Sequence, residues 1–194
     1  MQAPLIAIPV KPFGVAKRRL APVLDAGRRS RLGREVAART IAAAQATGVP
    51  VAVVTADAGV MAWAGNQGAN VVVDPGRDLN VAAQAAVRTA GSRPWMILHA
   101  DLPLVEPADL LAVITELKTA GSVIAPSYDG GTSVLAGSGP FPFRYGPASF
   151  RRHIACAPHR LKVLVRVGLA IDLDAPSDLA AAREHPRGTW LSYF

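Results

Sequence analysis

Trp95-Met96-Ile97-Leu98-His99-Ala100-Asp101-Leu102-Pro103 is the stretch on which the reading of the fold turns. Its first four residues are large and apolar, the pattern of a buried strand rather than of a half-exposed one. The run passes straight into Asp101 and a Leu-Pro turn, so a carboxylate stands just beyond the strand end. Similar short apolar runs recur on both sides, at Leu5–Val10, Val51–Thr55, Asn70–Val73 and Val123–Pro126. Alanine-rich helical stretches separate them. Between Gly27 and Thr47, Leu32, Val36, Ile41 and Ala44 fall near one face while Arg28, Arg31 and Arg34 lie mostly off it. Gly48-Val49-Pro50 stops that helix. Asp57 is placed to cap a short helix ending near Gly65, and Leu79–Ala90 and Glu106–Thr119 read as further helices. This alternation predicts a mixed, mostly parallel sheet with helices on both faces, in one α/β domain spanning 1–194. After Pro126 the rhythm changes. A Gly130-Gly131 turn leads to a strand over Thr132–Ala136, then a Gly/Pro/aromatic loop runs through Pro147. A helix near Ser149–Ala157, a strand around Gly168–Leu173 and a helix from Pro176 to about Glu184 complete the expectation.

Composition narrows the class. The 194 residues are 51% hydrophobic and 18% charged, which excludes a disordered or disulfide-stapled chain. The longest apolar runs reach about half of the ~20 residues that a membrane span needs. The single cysteine, Cys156, excludes an internal disulfide, fits a reducing cytoplasm, and is expected to be a small buried hydrophobe. A net charge of +7 suggests anionic partners, yet aromatics are only 6% and no nucleic-acid reading module is visible. Neither a nucleic acid nor a membrane is expected as partner.

In open α/β sheets ligands sit at the carboxyl ends of the strands. After the first strand come Lys11, Lys17, Arg18 and Arg19, cations suited to a chain of phosphates, with a solvated basic loop as the plain alternative. Asp101, beyond the central strand, suits Mg²⁺, and a turn aspartate is its plain alternative. Asp172-Leu173-Asp174 closes a later strand with both carboxylates on one face, close enough together to need a cation. Asp178 favours a helix N-terminus, and Asp78 ahead of Leu79-Asn80 reads as a cap. Tyr145-Gly146-Pro147-Ala148-Ser149 opens a helix whose N-terminus could meet an anion. Arg151, Arg152 and His153 follow, with a solvated basic face as their plain reading. Three aspartates with a basic loop form a constellation for metal-assisted phosphoryl or nucleotidyl transfer. Nucleophile triads and zinc spacings are absent.

Lys11, Lys17, Arg19-Leu20-Ala21-Pro22, Asp78-Leu79-Asn80, Asp101-Leu102-Pro103, Gly131-Thr132, Gly146-Pro147 with Ser149, and Asp172-Leu173-Asp174 with Pro176 and Asp178-Leu179 occur in order over nearly the whole chain. Together they resemble the guanylyltransferases of coenzyme F420 biosynthesis, the CofC/FbiD family. The resemblance implies a Rossmann-like, GT-A-type nucleotidyltransferase fold. It also implies transfer of GMP from GTP to a three-carbon phosphoacid: phosphoenolpyruvate, 2-phospho-L-lactate or 3-phospho-D-glycerate. By it, Lys11, Lys17 and Arg19 hold the phosphates and Asn80 lies near the nucleoside. Asp101, Asp172 and Asp174 hold Mg²⁺, while Thr132, Gly146 and Ser149 receive the phosphoacid. The catalytic set is then Lys17, Arg19, Asp101, Asp172 and Asp174. His99-Ala100 and Ala175 depart from the family pattern. Functional coupling to the downstream F420 transferase follows from the same resemblance. The alternatives are a nucleotidyltransferase with another nucleotide or acceptor, and a non-catalytic nucleotide- or RNA-binding module. Trp190-Leu191-Ser192-Tyr193-Phe194 is expected to pack on its own domain, with a homodimer as the other use of that apolar end.

Overall fold

Residues 2–14, 17–76, 78–158 and 160–194 are described by a computed structural model. Val15 and Ala16, inside the basic loop after the first strand, lie outside the described residues, as do Met1, Arg77 and His159. A single seven-stranded sheet runs in the order β3-β2-β1-β4-β6-β5-β7. Its strands are β1 Leu5–Pro9, β2 Val51–Thr55, β3 Asn70–Val73, β4 Trp95–Leu98, β5 Val123–Pro126, β6 Thr132–Gly137 and β7 Lys162–Val163. β6 runs antiparallel to both of its neighbours, and the other four pairings are parallel. The mixed, mostly parallel α/β sheet expected from the sequence is therefore the observed one.

Side-chain alternation divides the core between the two faces of the sheet. Ile6, Ile8, Met96 and Leu98 pack with helices α1 (Ala26–Gln45), α2 (Ala58–Asn66) and α4 (Pro107–Ala120). Leu5, Ala7, Trp95 and Ile97 face the other way, onto the alanines of α3 (Leu79–Ala90) and the aromatics Phe143 and Tyr145. The caps follow the sequence. Asp25 accepts from Arg28 N–H, Asp57 from Val60 N–H, and Asp78 from the N–H groups of Asn80 and Val81.

A third cluster joins Leu20, Leu32, Val36 and Leu104 to Leu173, Leu179 and Leu191. It seats helix α7 (Pro176–Glu184) and the 3-10 helix Pro186–Tyr193, with Trp190 and Phe194 packed against it. The apolar C-terminus thus covers the domain's own core, while Tyr193 stays exposed. No helix among the described residues is long and apolar enough to cross a membrane.

Three expectations need correction. The strand foreseen at Gly168–Leu173 is a single helical turn, α6 Val167–Ala170, followed by extended chain. That chain forms only isolated bonds, Tyr128 N–H to Ala170 O and Leu173 N–H to Asp101 O, both 2.9 Å. Apolar content made it look like a strand, but its neighbours are loops, so no ladder forms. Cys156 is half-buried rather than buried, because it ends α5 (Ser149–Cys156) and its thiol meets Pro142 O at 3.1 Å. His153 is not on the solvated face with Arg151 and Arg152: it is fully buried, one helical turn on from Ser149.

Candidate active site

The strand order reverses at β1. From there β2 and β3 lie to one side and β4 to the other, so the chains leaving the carboxyl ends of β1 and β4 diverge and open a crevice. A cavity of about 500 Å³ occupies it, lined by residues that include Lys11, Lys17, Arg19, His99, Asp101 and Asp174. Helix α1 supplies Gly33 and Ala37 to its wall. These small residues sit four apart, hence on one helical face, and keep that wall low. That spacing was present in the sequence but carries no charge to draw attention.

Two ion pairs span the crevice. Lys17 Nζ lies 2.9 Å from Asp101 Oδ2, and Arg19 Nη1 lies 2.9 Å from Asp174 Oδ2. The first is the sheltered one, since the Lys17 side chain is 8% exposed, whereas the Arg19 side chain is 76% exposed. Burial alone would push the Asp101 carboxyl up, but the Lys17 ammonium outweighs it and holds Asp101 below the usual carboxylate range. Among the described residues, no such cation pairs with Asp172. Burial, assisted by the charges of Asp101 and Asp129, pushes it up to about 7.

Asp178 fastens this carboxylate-bearing segment to α7. Its Oδ2 accepts from the backbone N–H of Asp174 at 2.9 Å and of Ala175 at 2.6 Å. Ala175, at the N-cap, has no side-chain oxygen of its own, so Asp178 does the capping from within the helix. Tyr128 OH donates to the other Asp178 oxygen, which raises the phenol to about 12.

The remaining candidates lie next to the cavity rather than on its wall. Asn80 Oδ1 accepts from Tyr145 N–H at 2.7 Å and so anchors the 141–147 loop. Leu79 beside it does line the cavity. Thr132 and Ser149 are buried, and their hydroxyls bond each other at 3.2 Å. Thr132 Oγ1 also meets His153 Nδ1 at 3.0 Å, while His153 Nε2 accepts from Arg144 N–H at 2.9 Å. Burial holds the His153 imidazole down at about 4, assisted by Arg152 and His99. A neutral ring that accepts on Nε2 carries its proton on Nδ1, and Thr132 is its acceptor. Gly146 is exposed at φ 116°, a conformation that side-chain-bearing residues rarely adopt. The loop from Gly137 to Pro147 is pinned by aromatics. Trp95 Nε1 donates to Gly139 O at 2.8 Å, and the Trp95 ring lies 6.0 and 5.4 Å from Phe141 and Phe143.

No group of three or more Asp, Glu, His or Cys among the described residues is arranged as a ready metal centre. Asp101 and Asp172 nevertheless have the chemistry of a divalent-cation site. Asp101 Oδ1 is buried without a hydrogen-bond partner, and Asp172 ionises against its neighbours' charge.

Comparison with known proteins places this geometry. Residues 4–193 match the family described as "Guanylyl transferase CofC like". The phosphoenolpyruvate guanylyltransferase of Chloroflexus aggregans is 38% identical over 184 residues, 87% of this chain and 91% of that protein. The enzyme of the same name from Rubrobacter xylanophilus is 37% identical over 187 residues, 89% of this chain and 90% of that one. Among solved structures, a nucleotide-diphospho-sugar transferase candidate from Desulfovibrio desulfuricans superposes with a TM-score of 0.78 at 18% identity. That match covers 100% of this chain and 95% of the other, and it shows that the fold is shared. With a sheet of that architecture and a family match over almost its full length, the chain belongs to the CofC-like guanylyl transferases and is a nucleotidyltransferase.

Proposed function

We propose that the chain transfers GMP from GTP to a three-carbon phosphoacid, phosphoenolpyruvate or 2-phospho-L-lactate, with release of pyrophosphate. The observation that carries the reading is the pair of cation–carboxylate contacts, Lys17–Asp101 and Arg19–Asp174, across one crevice at the strand ends. Such a site offers positive charge to phosphates and negative charge to a cation within the same few ångströms. The names of the Chloroflexus and Rubrobacter relatives favour phosphoenolpyruvate as acceptor.

In this reaction an acceptor phosphate oxygen forms a bond to the α-phosphorus of GTP. The bond from that phosphorus to the bridging oxygen breaks, and its electron pair leaves with pyrophosphate. A phosphate dianion is already nucleophilic near neutral pH, so no general base is required. The protein's work is to bring two anions together and screen their repulsion. Lys11, Lys17 and Arg19 would bind the triphosphate, with Lys17 the most sheltered and therefore the strongest contributor. Asn80 would act near the nucleoside through the loop it anchors, and Gly146 with the Thr132–Ser149 pair would shape the acceptor end. Asp101 and Asp172, with Asp174 beside them, would hold Mg²⁺, which when bound withdraws charge from the reacting phosphate. The product would pass to a downstream transferase of coenzyme F420 assembly in the cytoplasm.

The test is pyrophosphate release with GTP and Mg²⁺, with phosphoenolpyruvate, 2-phospho-L-lactate and 3-phospho-D-glycerate offered separately and the downstream transferase present to trap product. Release with one acceptor establishes both reaction and substrate. Silence with all three, from folded protein that binds GTP, moves the activity to another acceptor.

A further inference from the structure

Four buried side-chain polar atoms among the described residues have no hydrogen-bond partner, and they belong to His99, Asp101, Ser133 and Tyr145. Native interiors leave few such atoms unpaired, and these four are neighbours. His99 N–H donates to Ser133 O at 3.0 Å, which extends the Leu98–Val134 register of β4 and β6 by one residue. Directly opposed residues of an antiparallel pair put their side chains on one face. The Tyr145 ring lies against the imidazole, with centroids 5.5 Å apart. His99 Nδ1 lies 4.0 Å from Asp101 Oδ1, an oxygen that Lys17 does not touch. The imidazole therefore faces a carboxylate at Nδ1, with Ser133 opposite it in the register and the Tyr145 ring against it.

Donor and acceptor chemistry orders these groups. Ionised Asp101 can only accept, so the nitrogen facing it must carry the proton. The opposite tautomer would set a nitrogen lone pair against a carboxylate oxygen. A neutral ring protonated on Nδ1 leaves Nε2 as an acceptor, and neither of the buried hydroxyls nearby, of Ser133 or Tyr145, bonds it. We propose that His99 is a positioning residue, held as the Nδ1–H tautomer by the carboxylate that its Nδ1 faces, so that it donates to Asp101 Oδ1 and fixes the plane of that carboxylate. An approach of about 1 Å brings the 4.0 Å contact to hydrogen-bond length. The arrangement matters most when a phosphate competes for Lys17, because His99 then remains as the anchor of Asp101. It also ties Asp101 to the loop that Asn80 holds through Tyr145.

The catalytic consequence rests on the guanylyltransferase reading; the tautomer does not. Long-range nitrogen–proton NMR on the full, ligand-free chain, with His99 assigned by its loss in His99→Asn, reads the tautomer directly. A proton on Nδ1 is expected. A proton on Nε2, or on both nitrogens at pH 8, overturns the proposal. The second arm uses side-chain geometry: asparagine sets its amide nitrogen where Nδ1 was, whereas glutamine reaches toward Nε2. His99→Gln is expected to lower kcat about tenfold or more, with the KM for GTP changed less than about twofold. His99→Asn retains most of kcat. Equal losses in the two variants, with unchanged melting, overturn the positioning role. If no acceptor supports turnover, the functional reading fails and the NMR result still decides the tautomer.

Discussion

Lys17 holds φ 58° and ψ 34°, a left-handed conformation that costs a side-chain-bearing residue about 1–2 kcal/mol. The 2.9 Å contact to Asp101 is what that conformation secures, and strain of this kind concentrates at functional sites. Asp101→Asn keeps the shape and removes the charge. Turnover is expected to fall at least about 10²-fold. The far-UV spectrum should be unchanged, because the asparagine amide oxygen still accepts from the Lys17 ammonium. Near-normal rates from that variant would remove Asp101 from the chemistry. Ala148 shows the same backbone strain at φ 53° without any ion pair to compensate. Ala148→Gly should therefore stabilise the protein by about 0.5 kcal/mol, the strain relieved less the entropy glycine adds to the unfolded chain. Chemical denaturation would measure it, and a lower midpoint would show that the strain is absorbed locally.

At the scale of elements, one buried carboxylate joins three pieces of the chain. Asp109, on α4, is 1% exposed and meets Arg166 Nε at 3.0 Å and Arg187 Nη1 at 2.8 Å. It also accepts from the N–H of Glu106 at the helix start, at 3.1 Å. Arg166 precedes α6 and Arg187 lies in the C-terminal 3-10 helix, so the contact fixes the approach to the Asp172–Asp174 segment. Gly168 is part of the same joint: a Cβ there would collide with the Asp109 carboxylate and lie 2.9 Å from Leu104 O. Asp109→Ala should cost about 3 kcal/mol, since it takes the carboxylate from Arg166 and leaves Arg187 paired, among the described residues, with Glu106 alone. Gly168→Ala should also destabilise, by forcing that carboxylate aside. Denaturation midpoints for both variants check this, and wild-type midpoints would show the joint to be incidental.

For the whole molecule, pH and salt act in separable ways. His153 titrates near 4 in the folded chain, below its ordinary 6.5. Between those values the unfolded chain binds the proton that the folded one refuses, so this contribution is complete above about 6.5 and is lost as pH falls toward 4. Screened, it amounts to about 2 kcal/mol. Asp172 runs the other way. Raised to about 7, it favours the folded state when protonated and loses that contribution as pH rises through 7. The two slopes oppose in wild type, so variants must separate them. Stability of His153→Gln relative to wild type should increase as pH is lowered from 7 to 4, and an unchanged difference would assign the slope elsewhere. The +7 net charge and the basic cavity rim predict that the KM for GTP rises with ionic strength. A flat salt series would mean that contacts, rather than the field, hold the triphosphate.

Periodicity and capping chemistry are local. The apolar runs of β1 and β4, the aspartate caps at 57 and 78 and the stop at Gly48-Val49-Pro50 act within a few residues, so most elements and the α/β class were legible from the sequence. Most of the crevice was legible too, because Lys11, Lys17, Arg19 and Asp101 follow points where strands end, whereas Asp174 follows extended chain that pairs with no strand. Tertiary structure decided the rest. Gly168–Leu173 is apolar enough for a strand, but only packing revealed that it has loops for neighbours and α6 in its place. That Thr132, Ser149 and His153 are buried on one another was visible only in the fold. His99 and Tyr145 are 46 residues apart in the chain. Their contact exists only because β6 ends antiparallel beside Trp95, at the start of β4, and the aromatic loop then runs back over the sheet from Trp95 to His99. Long-range pairing of that kind depends on register and loop closure, which no local pattern encodes.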